Sequence, residues 1–147
     1  MNNLDLFRLD FVVSIKPEYA LKIIEGCKTV ELRRRFPFAT VTGAIIFVYA
    51  SAPVQALIGY ATIKNVEKLD VDTIWDRYNE IAFIDRDDYE IYFRGVREGF
   101  VVHLGDPVKL PRPIDLATLK SELKFTPPQS FAYADDRSKR LACRAEG

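Results

Sequence analysis

Apolar and polar residues alternate over residues 6–15. Phe7, Leu9, Phe11, Val13 and Ile15 fall on one side, and Arg8, Asp10 and Ser14 on the other. A period of two predicts a strand with one buried face. Lys16 continues the polar face and Pro17 stops the strand. Proline suits a first helical position and Glu18 suits the positive end of the helix dipole, so a helix starts here. Ala20, Ile23 and Ile24 are its buried stripe, and Gly26 is the expected left-handed terminator. A short strand follows, with Val30 and Leu32 facing a core and Thr29, Glu31 and Arg33 facing away. Phe36-Pro37-Phe38 reads as a bend, because proline cannot donate to a sheet ladder. Gly43 then opens a nearly continuous apolar run from Ala44 to Ala50, as expected of a strand covered on both sides. Ser51-Ala52-Pro53 is a turn into another strand over residues 54–64, where Gly59 marks a bulge or a tight corner.

The second half turns helical first. Asp70 or Asp72 caps a helix whose stripe is Ile74, Trp75, Tyr78 and Ile81. Asp85 caps a second, shorter one with Tyr89, Tyr92 and Phe93, closed by Gly95. Phe100 to Leu104 is a strand, Gly105-Asp106-Pro107 a turn, and Val108 to Leu110 an extension that helps close the sheet. Ile114 and Leu119 form a hydrophobic staple around Asp115 as N-cap, starting a helix with Leu116 and Leu123 inward. Pro127-Pro128 ends it, Phe131 and Tyr133 fold back onto the sheet, and the tail from Asp135 is polar and expected to be mobile. The expected class is α+β, mostly β, with one domain over residues 1–134 and a tail over 135–147.

Composition narrows the function. A chain of 147 residues, 48% apolar, suits a single folded domain. Lys+Arg and Asp+Glu both number 21, for a formal net charge of +0. That excludes a globally basic nucleic-acid binder and permits a locally basic cleft. Cys27 and Cys143 show no metal or redox spacing and point to a reducing compartment. No apolar run reaches the roughly 20 residues of a membrane span, and Met1-Asn2-Asn3-Leu4-Asp5 lacks the features of a signal peptide. A soluble cytoplasmic protein without a membrane partner is expected.

The candidate chemistry is concentrated between Gly26 and Arg35. Lys28 sits in the turn before the strand and leans over the polar face of Glu31 and Arg33, with Arg34 and Arg35 following. Cations gathered around one carboxylate on a rigid element suit a polyanion or a nucleobase edge. The plainer alternative is a solvated strand face on which Glu31 neutralises Arg33 across one pleat. Tyr49 and Tyr60 read as core or rim aromatics, with base stacking as the other role open to them. Glu80, near Phe83 and Ile84, is a candidate partly desolvated carboxylate able to move a proton, the alternative being a solvated helix glutamate. His103 has no nucleophile or second metal ligand beside it in sequence and reads as structural.

The spacing Gly-x-Lys-x-x-Glu-x-Arg, filled by Gly26, Lys28, Glu31 and Arg33, resembles the signature of the ASCH domains. These are small β-barrels of the PUA-like superfamily. Ser14 to Ala20 and Pro127 to Phe131 resemble the flanking segments of that family. The resemblance implies a barrel of about five to six mixed strands with flanking helices. It also implies a cleft lined by Lys28, Glu31 and Arg33 with Lys16 at its edge; Arg35 and Tyr49 complete the expected ligand-binding set. The expected ligand is RNA or a modified nucleotide or nucleobase, bound with no metal or other cofactor, and the role is regulation in RNA metabolism or gene expression. A carboxylate such as Glu31 accepts from the exocyclic amine of cytosine, a way of reading an unstacked base. The alternative the family implies is a small hydrolase with Lys28, Glu31 and Glu80 as catalytic candidates. One form is a metal-independent ribonuclease, in which Lys28 stabilises phosphate charge or acts as a base. The other is an amidohydrolase of N-acylated cytidine, which uses a threonine three residues after the motif lysine. That position is Glu31 here and Thr29 is not a substitute, which argues against the second form. An adaptor that offers its arginines to an acidic protein makes no use of the spacing. Oligomeric state is left open.

Overall fold

β3 (Ile45–Ala50) is buried along its whole length, because both of its faces are covered by packed elements. In the computed structural model, residues 10–37, 41–128 and 131–134 are described. β1 (Asp10–Ile15) runs parallel to β3, and α1 (Pro17–Ile24) and β2 (Val30–Arg33) lie between them in sequence. β3 turns into the long β4 (Ala56–Asp70) through a segment with a cis Ala52–Pro53 peptide. Two helices follow, α2 (Val71–Ala82) and α3 (Arg86–Tyr92), then β5 (Glu98–Asp115), α4 (Leu116–Leu123) and β6 (Phe131–Ala134).

The strands form one mixed sheet in the order β2-β5-β4-β3-β1-β6. Closure into a barrel was expected, and the sheet is instead open. β2 pairs antiparallel with β5, β6 pairs antiparallel with β1, and these two four-residue strands stand at opposite ends of the order. Among the described residues β6 pairs with Asp10 to Val13 of β1, and no strand pairs β1 with β2. A gap is left there between β1 and β2.

β4 and β5 bend the sheet. Their pairing shifts register between Leu57 and Gly59, between Tyr60 and Thr62, and between Ile63 and Asn65. Each extra residue increases twist and turns the strand. The expected turn at Gly105-Asp106-Pro107 is one of these bulges. Tyr60 opposes Val108 and Thr62 opposes Gly105, so the extra residue is absorbed with Asp106 at φ +49°. β5 therefore continues to Asp115. Gly59 is a bulge glycine for a steric reason: a Cβ there would lie 2.3 Å from the Val108 carbonyl oxygen.

Three apolar clusters hold the layers. Phe11, Val13 and Ile46 pack beneath Ile23 and Ile24 of α1. Val12, Phe47, Tyr60 and Leu110 fill the opposite face beneath Leu119 of α4. Val30, Leu32 and Val101 meet Ile74 of α2, Tyr89 of α3 and Phe93 just after it. β1 is thus covered on both faces, against the expected one. Asp10, placed on its polar side, is fully buried, and its Oδ1 accepts from the Ile45 amide at 2.7 Å. Asp70, Asp85 and Asp115 cap their helices, with side chains accepting from the amides of Asp72, Asp88 and Thr118. On α2, Ile74 and Ala82 face inward while Ile81 is 39% exposed, because steps of four residues carry the stripe through Tyr78 to Ala82. The expected fold-back at Phe131 and Tyr133 is β6, and the expected mobile tail lies outside the described residues. Among the described residues no helix is long and apolar enough to cross a membrane.

Tyr78 of α2 donates to Glu67 of β4, and His103 Nε2 lies 2.7 Å from the same carboxylate. Glu67 therefore joins helix to sheet, and the His103 ring meets the Tyr78 ring edge-on at 5.3 Å. The Tyr78 hydrogen bond, with those of His103 and its charge, outweighs burial and holds the Glu67 carboxyl below its usual range. A carboxylate depressed on folding contributes stability above its unfolded value, and loses it as pH falls through the folded one.

Two outcomes are expected. Gly59→Ala lowers stability by about 1–3 kcal/mol in urea unfolding, since the added methyl meets backbone. Glu67→Gln flattens the decline of stability as pH falls below about 4.5. An unfolding series at several pH values checks this, and equal slopes for both proteins would refute it.

Candidate functional site

Lys28 is fixed from two directions. Gly26 adopts φ +83° at the end of α1, and the Cys27 and Lys28 amides both donate to the Lys22 carbonyl, at 2.9 and 3.0 Å. The next residue, Thr29, accepts from the Leu104 amide of β5 at 2.8 Å. The lysine side chain leaves this turn and donates to the Val30 carbonyl and to Glu31 Oε1, the latter at 3.2 Å. Glu31 Oε2 lies 2.9 Å from Arg33 Nη2, and the same guanidinium nitrogen reaches the Ser14 carbonyl of β1 at 3.3 Å. Arg33 thus spans the gap in the sheet with a side chain where no ladder forms.

These three charged residues are only 4%, 8% and 6% exposed for Lys28, Glu31 and Arg33. The solvated strand face is therefore overturned. Glu31 does neutralise Arg33 across one pleat, and it holds Lys28 as well. Each carboxylate oxygen already has a cation, so reading an exocyclic amine through Glu31 requires a further lone pair on the same oxygens.

The cluster faces a cavity of about 410 Å³ at the gap. Ser14, Lys16 and Tyr19 form one wall, from β1 and α1, and Ile84, Ile91 and Tyr92 form the other, from α3 and the turn before it. Burial raises both tyrosine hydroxyls, at Tyr19 with help from Glu18 and Asp88, and at Tyr92 against the opposing Arg33 charge. Both stay neutral hydrogen-bonding groups near neutral pH. The Tyr92 hydroxyl donates to the Leu32 carbonyl and accepts from the Arg34 amide, each at 3.3 Å. Arg34 Nη1 donates at 2.8 Å to the carbonyls of Tyr92 and Arg94. This clamp holds the end of α3 against β2.

A second cavity, of about 390 Å³, shares Ser14 and Lys16 and is completed by Tyr49, Ser51, Gln55 and Pro127 among others. Tyr49 is 1% exposed, and its hydroxyl, raised by burial, has no hydrogen-bond partner among the described residues. Its ring packs against Phe125 at 5.4 Å, centroid to centroid.

The expected residues thus divide. Lys28, Glu31 and Arg33 come together, Lys16 stands exposed between the two cavities, and Tyr49 belongs to the second. Arg35 is exposed and lines neither. Glu80 is likewise exposed on α2 and outside both, so it is a solvated helix glutamate. Tyr19, Ile91 and Tyr92 were not anticipated. Ile91 and Tyr92 come from α3, far from β2 in sequence, while Tyr19 lies on α1 just before β2, and only its neighbourhood carried a signal. Among the described residues no group of three or more His, Cys, Asp or Glu is placed to hold a metal ion.

Comparison with known proteins locates this arrangement. A family model described as "ASCH domain" matches residues 13–108. The chain is similar to an "ASCH domain-containing ribonuclease" of Zymomonas mobilis, 39% identical over 127 residues that cover 86% of this chain and 84% of the relative. A crystal structure of a tyrosine-to-phenylalanine mutant of the Zymomonas mobilis ASCH protein superposes with a TM-score of 0.85 at 36% identity, covering 92% of this chain and 98% of that one. The human THYN1 protein, solved in complex with 5-methylcytosine-containing DNA, shares the fold at 14% identity and a TM-score of 0.56, over 95% and 99% of the two chains.

Glu31→Gln is expected to lower stability by about 3–5 kcal/mol in urea unfolding, because two buried cations lose their common counter-charge. Lys28→Met is expected to lose less, since the Glu31–Arg33 pair survives it. Equal losses, or none, would show that the three groups do not act as one buried cluster.

Proposed function

The chain belongs to the ASCH domain family, and from that membership we propose that it is an RNA-acting protein that takes single-stranded RNA into the gap between β1 and β2. The observation that carries this reading is a lysine 4% exposed, fixed by a buried carboxylate and facing a cavity. Lysine is almost never buried for stability alone, and a buried charged network is often no more stable than apolar packing of the same volume. Its value lies in an anion at the cavity, which a preorganised ammonium and guanidinium hold without reorganising. The apolar and aromatic walls suit an unstacked base, and RNA is commonly read in this way. Glu31 orients the cations, and Lys16 adds charge at the mouth.

Cleavage of the bound strand is favoured over mere retention by one observation, the relative of 39% identity named a ribonuclease. In that role Lys28 meets the negative charge that develops on phosphate oxygens. The amidohydrolase reading is weaker, since Glu31 fills the nucleophile position and is held between two cations, and Thr29 is exposed outside the cavity. A regulatory role in gene expression follows if RNA is bound and left intact. The cytoplasm is the compartment in which either activity operates.

Fluorescence anisotropy with a labelled single-stranded RNA tests the binding. Log affinity is expected to fall with log salt by about 0.7 per phosphate neutralised, and Lys28→Ala to flatten that slope by about one such contact. Salt-independent binding would refute the reading. In a gel assay Lys28→Ala is expected to reduce cleavage by about 10²-fold. Cleavage at the wild-type rate would remove Lys28 from the chemistry.

A further inference from the structure

We propose that the two cavities are adjoining subsites for one strand, so that the recognised unit is a dinucleotide step whose linking phosphate rests on Lys16. The proposal rests on the RNA reading above and goes beyond it, from a single base in one cleft to two consecutive nucleotides across a ridge.

Three observations carry it. The cavities are nearly equal, about 410 and 390 Å³, each within the size range of small-ligand sites, and they meet at Ser14 and Lys16. Lys16 is exposed and is the N-cap residue of the eight-residue α1. The ridge therefore presents an ammonium, a charge that favours a phosphate. Tyr49 lines the second cavity, and its hydroxyl is buried without a partner among the described residues. A buried hydroxyl left unsatisfied carries a desolvation cost, which a hydrogen bond to a ligand entering the cavity would remove.

The cavities differ in chemistry in a way that suits this division. The first combines aromatic and apolar walls with the Lys28–Glu31–Arg33 cluster. The second is lined by the hydroxyls of Tyr49 and Ser51 and the amide of Gln55. A free nucleoside fills one and leaves the other open. Two linked nucleotides fill both and place the phosphodiester charge at Lys16, which lines both.

Isothermal titration of the full chain tests this with three probes for each base: a nucleoside, its 2′-O-methylated dinucleoside monophosphate, and the same dinucleotide with an uncharged methylphosphonate linkage. The 2′-O-methyl groups block cleavage by the ribose hydroxyl. The dinucleoside monophosphate is expected to bind at least about tenfold more tightly than the nucleoside. Lys16→Gln is expected to weaken the charged dinucleotide about fivefold, the scale of a solvent-accessible charge pair, and to weaken the methylphosphonate less than about twofold. Equal affinity for nucleoside and dinucleotide, or the same loss on both linkages, overturns the two-subsite proposal. If nucleoside binding in that case still depends on Lys28, the cleft reading stands. Failure of any RNA to bind overturns both.

Discussion

A carboxylate shared by two buried cations tolerates little movement, since a displacement that breaks one contact leaves a charge facing a poorly solvated interior. Glu31 is held in this way between Lys28 and Arg33, and the surrounding elements are arranged to keep it so. β5 pairs with β2 along its full length, from Val30 opposite His103 to Arg33 opposite Phe100. The end of α1 fixes the turn that carries Lys28, and the carbonyl of Ser14 receives Arg33 from across the gap. An open sheet edge usually needs protection. Here side-chain charge bridges it in place of a backbone ladder, and that substitution leaves room for a cavity.

The rest of the fold supplies rigidity to that gap. β4 and β5 bend through their bulges and so serve more than one apolar cluster, which lets helices pack on both faces of a single sheet. α2 and α3 form the far wall, with α3 tied to β2 by Arg34. Of three consecutive arginines, one enters the charged cluster, the next is a structural clamp, and the last is in solvent. The division follows strand alternation for Arg33 and the exit from the strand for Arg34 and Arg35.

Local signals in the sequence were reliable where the physics was local. Pro17 and Gly26 delimit α1, Asp70, Asp85 and Asp115 cap their helices, and Gly59 sits at a bulge, because each depends on a few neighbouring residues. The ordered spacing from Gly26 to Arg33 identified the cluster as well. What could not be read depended on distant packing. Alternation in β1 showed one apolar face, yet Asp10 and Val12 are buried by elements far along the chain. Gly105-Asp106-Pro107 has turn composition, and only long-range pairing with β4 makes it a bulge. The failure of β2 and β6 to pair, which opens the sheet, is a property of strand order and leaves no local trace. The sequence left Glu80 open between a partly desolvated carboxylate and a solvated one, and its side of α2 faces water.

β6 has a further significance as a guard. β1 is strongly apolar and its outer edge would otherwise offer unsatisfied amides and carbonyls to any extended peptide. By laying residues from late in the chain along that edge, the protein satisfies those groups intramolecularly and denies a second molecule the template for strand-to-strand association. Among the described residues that cover runs from Asp10 to Val13, and Ser14, the next residue, offers its carbonyl to Arg33. A four-residue strand and one guanidinium thus share this edge between them.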